Sequence, residues 1–225
     1  MVPGIVYCIM NSFEEYLRPT ELCDFDEEPE IQAVASGLTA SLINKHQKLD
    51  TLYRFVKELD YVYDDWYVKA SDTLRAKAGM CSGKTNLFVA MLRSVGIPAR
   101  YRVFKVEAEL TLFEWITRQD KRIGHQMGEP YQEQDHVLAE VYINGWQAFD
   151  TSRDTPFEEG LTKLGIPLEI KPILSPDIPK ALILASFDDW ARDRQERRRL
   201  TGTERAVFAL ANEQLDKIRL IGRSQ

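Results

Sequence analysis

The chain has 225 residues, 44% of them hydrophobic and 10% aromatic. At this size folding buries roughly 70% of the unfolded surface, so the core needs neither disulfides nor metal. Acidic side chains outnumber basic ones by 35 to 29, and the net charge of −6 argues against nucleic acid as a partner. Cys8, Cys23 and Cys81 show no C-x-x-C spacing and no suitably spaced histidine, so neither a disulfide framework nor a zinc site is expected. No stretch approaches the roughly 20 apolar residues of a membrane span. The opening MVPGIVYCIM lacks the basic flank of a signal peptide. A soluble, cytoplasmic protein of one domain is the expectation, without membrane contact.

Residues 1–35 carry eight acidic side chains against Arg18 alone, which reads as a solvated lid. Ile31, Val34, Leu38 and Leu42 then recur at helical spacing. A second helical set, Leu52, Phe55, Val56 and Leu59, follows Asp50 as N-cap. An aromatic stretch from Tyr61 to Tyr67 precedes a short polar helix, Ser71 to Lys77.

The next helix opens at Ala78-Gly79-Met80-Cys81 and presents Phe88, Met91, Leu92 and Val95 to the core. Gly96 and Pro98 supply its stop. Ala99 to Val106 and His136 to Ile143 read as strands, the latter alternating cleanly through Val137, Ala139, Val141 and Ile143. Asn144-Gly145 turns the chain into Trp146 to Asp150. Between the strands lies a polar excursion, Glu107 to Asp135, with an amphipathic piece around Leu110 to Ile116 and a mobile loop bracketed by Gly124 and Gly128. Pro167, Pro172, Pro176 and Pro179 imply an extended wrap, and helices near Phe187 to Arg199 and Thr203 to Ile221 close the chain. The fold class is α+β.

Cys81 stands where a helix starts, so unpaired first-turn N–H groups and the helix dipole favour its thiolate, and titration well below about 8.5 is expected. Cys8 and Cys23 read as small buried hydrophobes. His136 heads one strand and Asp150 ends the next. Thiolate, imidazole and carboxylate together make a nucleophile, a general base and a group that orients the base.

Parity decides whether the last two can touch. A two-residue loop at Asn144-Gly145 pairs Ala139 with Asp150 and puts the carboxylate on the face opposite His136. A three-residue loop, with Gly145 left-handed as a bulge, pairs Tyr142 with Trp146 and Leu138 with Asp150. Asp150 then lies diagonal to His136, within side-chain reach.

Gly79-Met80-Cys81, the run Leu92-Arg93-Ser94-Val95-Gly96-Ile97-Pro98-Ala99-Arg100, and His136 with Glu140-Val141-Tyr142, Trp146 and Phe149-Asp150-Thr151 together resemble the transglutaminase-like superfamily, papain-related cysteine acyltransferases and peptidases. The resemblance spans about residues 50–155, between an N-terminal arm 1–49 and a C-terminal extension 156–225. It implies a nucleophile helix packed on an antiparallel sheet, with Cys81 as nucleophile, His136 as base, Asp150 as third member and the Cys81 backbone N–H in an oxyanion hole. It also implies a peptide or protein substrate and no cofactor. An upstream side chain, Tyr63 or Trp66, is the candidate second oxyanion donor. Leu138 stands where many members carry an aromatic residue, and Thr85 where a small one is usual.

Two rivals remain. Ser82-Gly83-Lys84-Thr85 imitates the end of a P-loop, but the required first glycine falls on Ala78 and no buried strand precedes it. The other is a catalytically silent domain that binds a peptide in the same cleft, since fold does not dictate function.

Overall fold

The computed structural model describes residues 13–127, 132–173, 180–197 and 199–224. Cys8 and Gly128 lie outside them. The first helices are α1 (Pro29–Thr39) and α2 (Lys45–Lys57). The α1 helix buries Ile31, Ala35 and Thr39, a stripe rotated from the one expected, with Leu38 on its exposed edge. The α2 helix begins one turn earlier than expected, because the Asn44 side chain accepts from His46 N at 2.8 Å and Asp50 lies inside the helix.

A two-residue strand β1 (Asp60–Tyr61) pairs in parallel with β2 (Ala78–Gly79) across the short helix α3 (Ala70–Ala76). From β2 the chain enters α4 (Cys81–Ser94), whose residues are buried from Cys81 through Arg93. Gly96 ends this helix at φ +75°, a left-handed turn that favours glycine.

The main sheet has the order β5 (Trp146–Phe149), β4 (Glu133–Tyr142), β3 (Ala99–Glu107), β6 (Leu182–Leu184), antiparallel throughout. Its inner face, with Tyr101, Val103, Val137, Ala139 and Val141, packs on α4. The helix that begins at Cys81 is thus packed on an antiparallel sheet, as expected. The β6 strand was not apparent in the sequence.

Between β3 and β4 run α5 (Leu110–Gln119) and α6 (Lys121–Met127). Gly124, expected in a loop, lies within α6, where its Cα faces Thr117. Then come α7 (Thr155–Lys163), α8 (Asp188–Arg197) and α9 (Gly202–Arg223), the last opened by a capping box between Thr201 and Glu204. A second apolar cluster forms where Leu112, Ile116 and Ile123 meet Phe157, Leu161 and the α9 residues Val207, Ala211, Leu215 and Ile218. The α7 and α9 helices cross closely there: a Cβ at Gly160 would collide with the Ile218 carbonyl.

Among the described residues the acidic arm is a packed strap rather than a solvated lid. Leu22, Cys23 and Phe25 are buried in the main core. Asp188 at the start of α8 accepts from Thr20 Oγ1 and from the backbone of Glu21 and Leu22, at 2.9–3.0 Å. Arg93 at the end of α4 is buried and donates to the carbonyls of Arg18, Ala99 and Ala185. No described helix is long and apolar enough to cross a membrane.

Candidate active site

Cys81 is the first residue of α4, and no side chain caps that helix end. The first intrahelical bond there comes from Lys84 N to Met80 O, so the backbone N–H groups of Cys81, Ser82 and Gly83 precede the ladder. The thiol is 8% exposed and lines a cleft that also contains His136.

The β4–β5 hairpin has the longer loop. Tyr142 pairs with Trp146 and Ala139 with Phe149, which leaves Ile143, Asn144 and Gly145 as a three-residue loop and carries Asp150 past Phe149 toward Leu138. Gly145 has the positive φ expected of it, +152°, and Asn144 before it is left-handed at φ +60°. Asparagine tolerates that conformation through local hydrogen bonding. His136 Nε2 and Asp150 Oδ2 are 2.7 Å apart. The other carboxylate oxygen accepts from Ser152 N at 2.9 Å, and Tyr53 donates to the Asp150 carbonyl at 3.0 Å. Phe104, directly opposite on β3, meets the imidazole edge to face at 5.4 Å.

Charge follows from this geometry. Burial disfavours the imidazolium, but the Asp150 carboxylate and the neighbouring Cys81 outweigh it and push His136 up to about 10. Burial also opposes the Asp150 charge, yet His136 and the Ser152 groups hold that carboxyl well below the usual range. Asp150 Oδ2 occupies Nε2, and Nδ1 is the nitrogen left for Cys81.

The Ser82-Gly83-Lys84-Thr85 sequence serves packing. Lys84 is fully buried and its Nζ donates to the Lys57 and Leu59 carbonyls at the end of α2, at 3.0 and 2.6 Å. Burial lowers its pKa to about 7. Thr85 donates to the Val137 carbonyl at 3.3 Å and so ties α4 to β4 beside His136. The hydroxyl thus has a use where a smaller residue would leave that carbonyl without it.

Of the two expected oxyanion candidates, Trp66 packs its ring against Trp190 at 5.1 Å and under the Arg194 guanidinium at 4.7 Å. Tyr63 lines the cleft with its backbone held by Asn212. Tyr61 was missed: it lines the same cleft as Cys81, and burial, then Tyr63 and Cys81, raise its phenol well above its usual value. Tyr61 is the last residue of β1, in register with Gly79 two residues before Cys81, but a two-residue parallel pairing leaves no periodicity to read.

The chain matches the transglutaminase-like superfamily model over residues 32–151, more than half its length. It belongs to that superfamily. This transglutaminase-like chain is also similar in structure to a candidate cysteine protease from Cytophaga hutchinsonii, at 23% identity and a TM-score of 0.48, over 82% of this chain and 54% of that one. It therefore spans about half the length of that neighbour. A comparison with curated proteins gives no match. The family match begins at residue 32, so most of α1 and the last 18 residues of the expected N-terminal arm, 32–49, fall within it. Residues 152–224, with α7 to α9, fall outside.

Proposed function

We propose that this transglutaminase-like domain is a cysteine hydrolase or acyltransferase acting on a peptide or carboxamide carbonyl. The observation that carries the reading is the 2.7 Å contact between His136 Nε2 and Asp150 Oδ2, with Cys81 at a helix N-terminus in the cleft that His136 also lines. Cys81 is the nucleophile, His136 the base and Asp150 the group that fixes the ring and its charge.

Cys81 Sγ attacks the carbonyl carbon as its proton resides on His136, and the oxygen charge develops toward the first-turn N–H groups. Collapse breaks the C–N bond, and His136 returns the proton to the departing amine. The resulting thioester is resolved when water or a second amine attacks, giving its proton to His136 and releasing the Cys81 sulfur. Hydrolysis and amine transfer share every step but the identity of that last nucleophile. The Arg153–Glu109 and Arg194–Asp135 ion pairs flank the cleft and keep its walls in place.

The test is a pH profile of iodoacetamide labelling, site by site, followed by peptide-library turnover. Labelling of Cys81 at pH 6 well above that of a denatured control is expected, and it should fall at least tenfold in His136→Ala, with turnover abolished in Cys81→Ala. Labelling no faster than the denatured control would sink the nucleophile. Labelling without turnover of any peptide or amine acceptor would point to a silent binding domain.

A further inference from the structure

The cleft at Cys81 has one wall that the matched family region does not contain. Ile170, Leu200 and Phe208 come from the segment beyond residue 151, and they line the cleft together with Met80, Tyr63 and Trp66. Phe208 and Tyr63 tilt against each other with centroids 5.7 Å apart.

That wall is held rigidly. Tyr63 N donates to Asn212 Oδ1 at 2.7 Å, and Asn212 Nδ2 donates to the Tyr63 carbonyl at 3.1 Å, so one side chain of α9 grips both backbone groups of a cleft residue. Arg219, one face further along α9, donates to the Tyr61 carbonyl and to Asp154. Asp154 in turn accepts from Tyr61 N at 2.8 Å. The last helix and β1, the partner of the strand that leads to Cys81, therefore move as one piece. A site fixed in this way can discriminate between side chains.

Its chemistry is apolar. Burial pushes the Tyr63 phenol up to about 12, the response of a group in surroundings that disfavour charge. The two arginines in the cleft, Arg153 and Arg194, already have carboxylate partners in Glu109 and Asp135. Of the two further aspartates that line the cleft, Asp65 pairs with Arg205 and Asp64 is exposed.

Resting on the reading of Cys81 as nucleophile, we infer that residues beyond 151 build a specificity seat at Phe208, Leu200 and Tyr63 for a large apolar or aromatic substrate side chain beside the scissile bond. Selectivity in this protein is then a property of its C-terminal helices, and the matched domain supplies the chemistry.

Two measurements on the full chain separate this inference from the reading beneath it. In the first, acylated dipeptide chloromethyl ketones carrying phenylalanine, glycine or lysine at either position react with Cys81, and each rate is divided by that of iodoacetamide, which has no side chain. The phenylalanine probe should exceed the glycine probe about tenfold or more. That ratio should fall toward one in Phe208→Ala and in Leu200→Ala, and persist in Leu220→Ala on the exposed face of α9. In the second, the parent peptides without the reactive group bind to Cys81→Ala, which reads the seat whether or not the thiol is activated. Tighter binding of the phenylalanine peptide supports the seat. Equal rates and equal binding for the three side chains, a preference for lysine, or a preference untouched in both Phe208→Ala and Leu200→Ala would overturn it.

Discussion

Replacing Asp150 by asparagine keeps the size of the side chain and an oxygen for His136 Nε2, but removes the charge. The displacement of His136 from 6.5 to about 10 amounts to about 5 kcal/mol in favour of the imidazolium, shared between Asp150 and Cys81 after the opposing burial. A charge-assisted hydrogen bond contributes about 1.5–3 kcal/mol. Asp150→Asn should therefore cost about 2–3 kcal/mol of stability at pH 6. A histidine raised in the folded state gives its full contribution below its unfolded value near 6.5 and loses it as pH rises through about 10. The gap between wild type and variant should accordingly narrow across that interval. It should narrow again in acid, because a carboxylate held low in the fold contributes above the ordinary range and loses that contribution as pH falls through its lowered value. Urea denaturation from pH 2 to pH 10.5, with the slope of each transition checked for constancy, measures the gap. A gap that stays level or widens between pH 6 and pH 10.5 would show that the pair contributes no charge interaction, and the electrostatic account of the site would fail.

Two further outcomes concern the clamp behind the cleft. Asp154 is buried, caps α7 through Phe157 N and faces the buried Arg219 at 2.9 Å, so Asp154→Ala strands that guanidinium and should cost about 3–5 kcal/mol in the same denaturation assay, with Cys81 labelling by peptidyl probes slowed. Gly160→Ala puts a methyl group against the Ile218 carbonyl, and the helices must part. A loss of about 1–3 kcal/mol is expected, read as a lowered melting temperature by circular dichroism, while an unchanged value would show that the crossing has slack.

The elements nearest the chemistry were legible because their signals are local. Gly96 and Pro98 mark the end of α4, and the alternation of Val137, Ala139, Val141 and Ile143 gives β4 its inner face. Hairpin parity reduced the contact of His136 with Asp150 to a choice of loop length. Other elements depend on partners far away in sequence. The strap was misread because its eight acidic residues outweigh the three, Leu22, Cys23 and Phe25, that enter the core, and the capping aspartate for its backbone is residue 188. The β6 strand is three residues long and owes its conformation to β3. Asp50 looked like a cap by type, yet Asn44 lies where the hydrogen bond is made. Gly124 suggested a loop, although glycine costs a helix only about 1 kcal/mol and packing of α6 offsets that.

The convergence at Arg93 bears on how the chain is made. Its guanidinium ends in a buried place defined by Arg18, near the start, and Ala185, near the finish, and the strap is fastened by Asp188. A ribosome delivers Arg18 before Arg93, and Ala185 and Asp188 only after the sheet strands β3 to β5 and α4 have emerged, at roughly 5–20 residues per second. Until then the arginine belongs to a core that lacks part of its lining, and an unpartnered buried charge is costly. The nascent chain must therefore hold that region open for on the order of ten seconds or more. During this interval Leu22, Phe25 and the inner face of β3 remain available to chaperones, and synthesis and closure of the core become a single timed event.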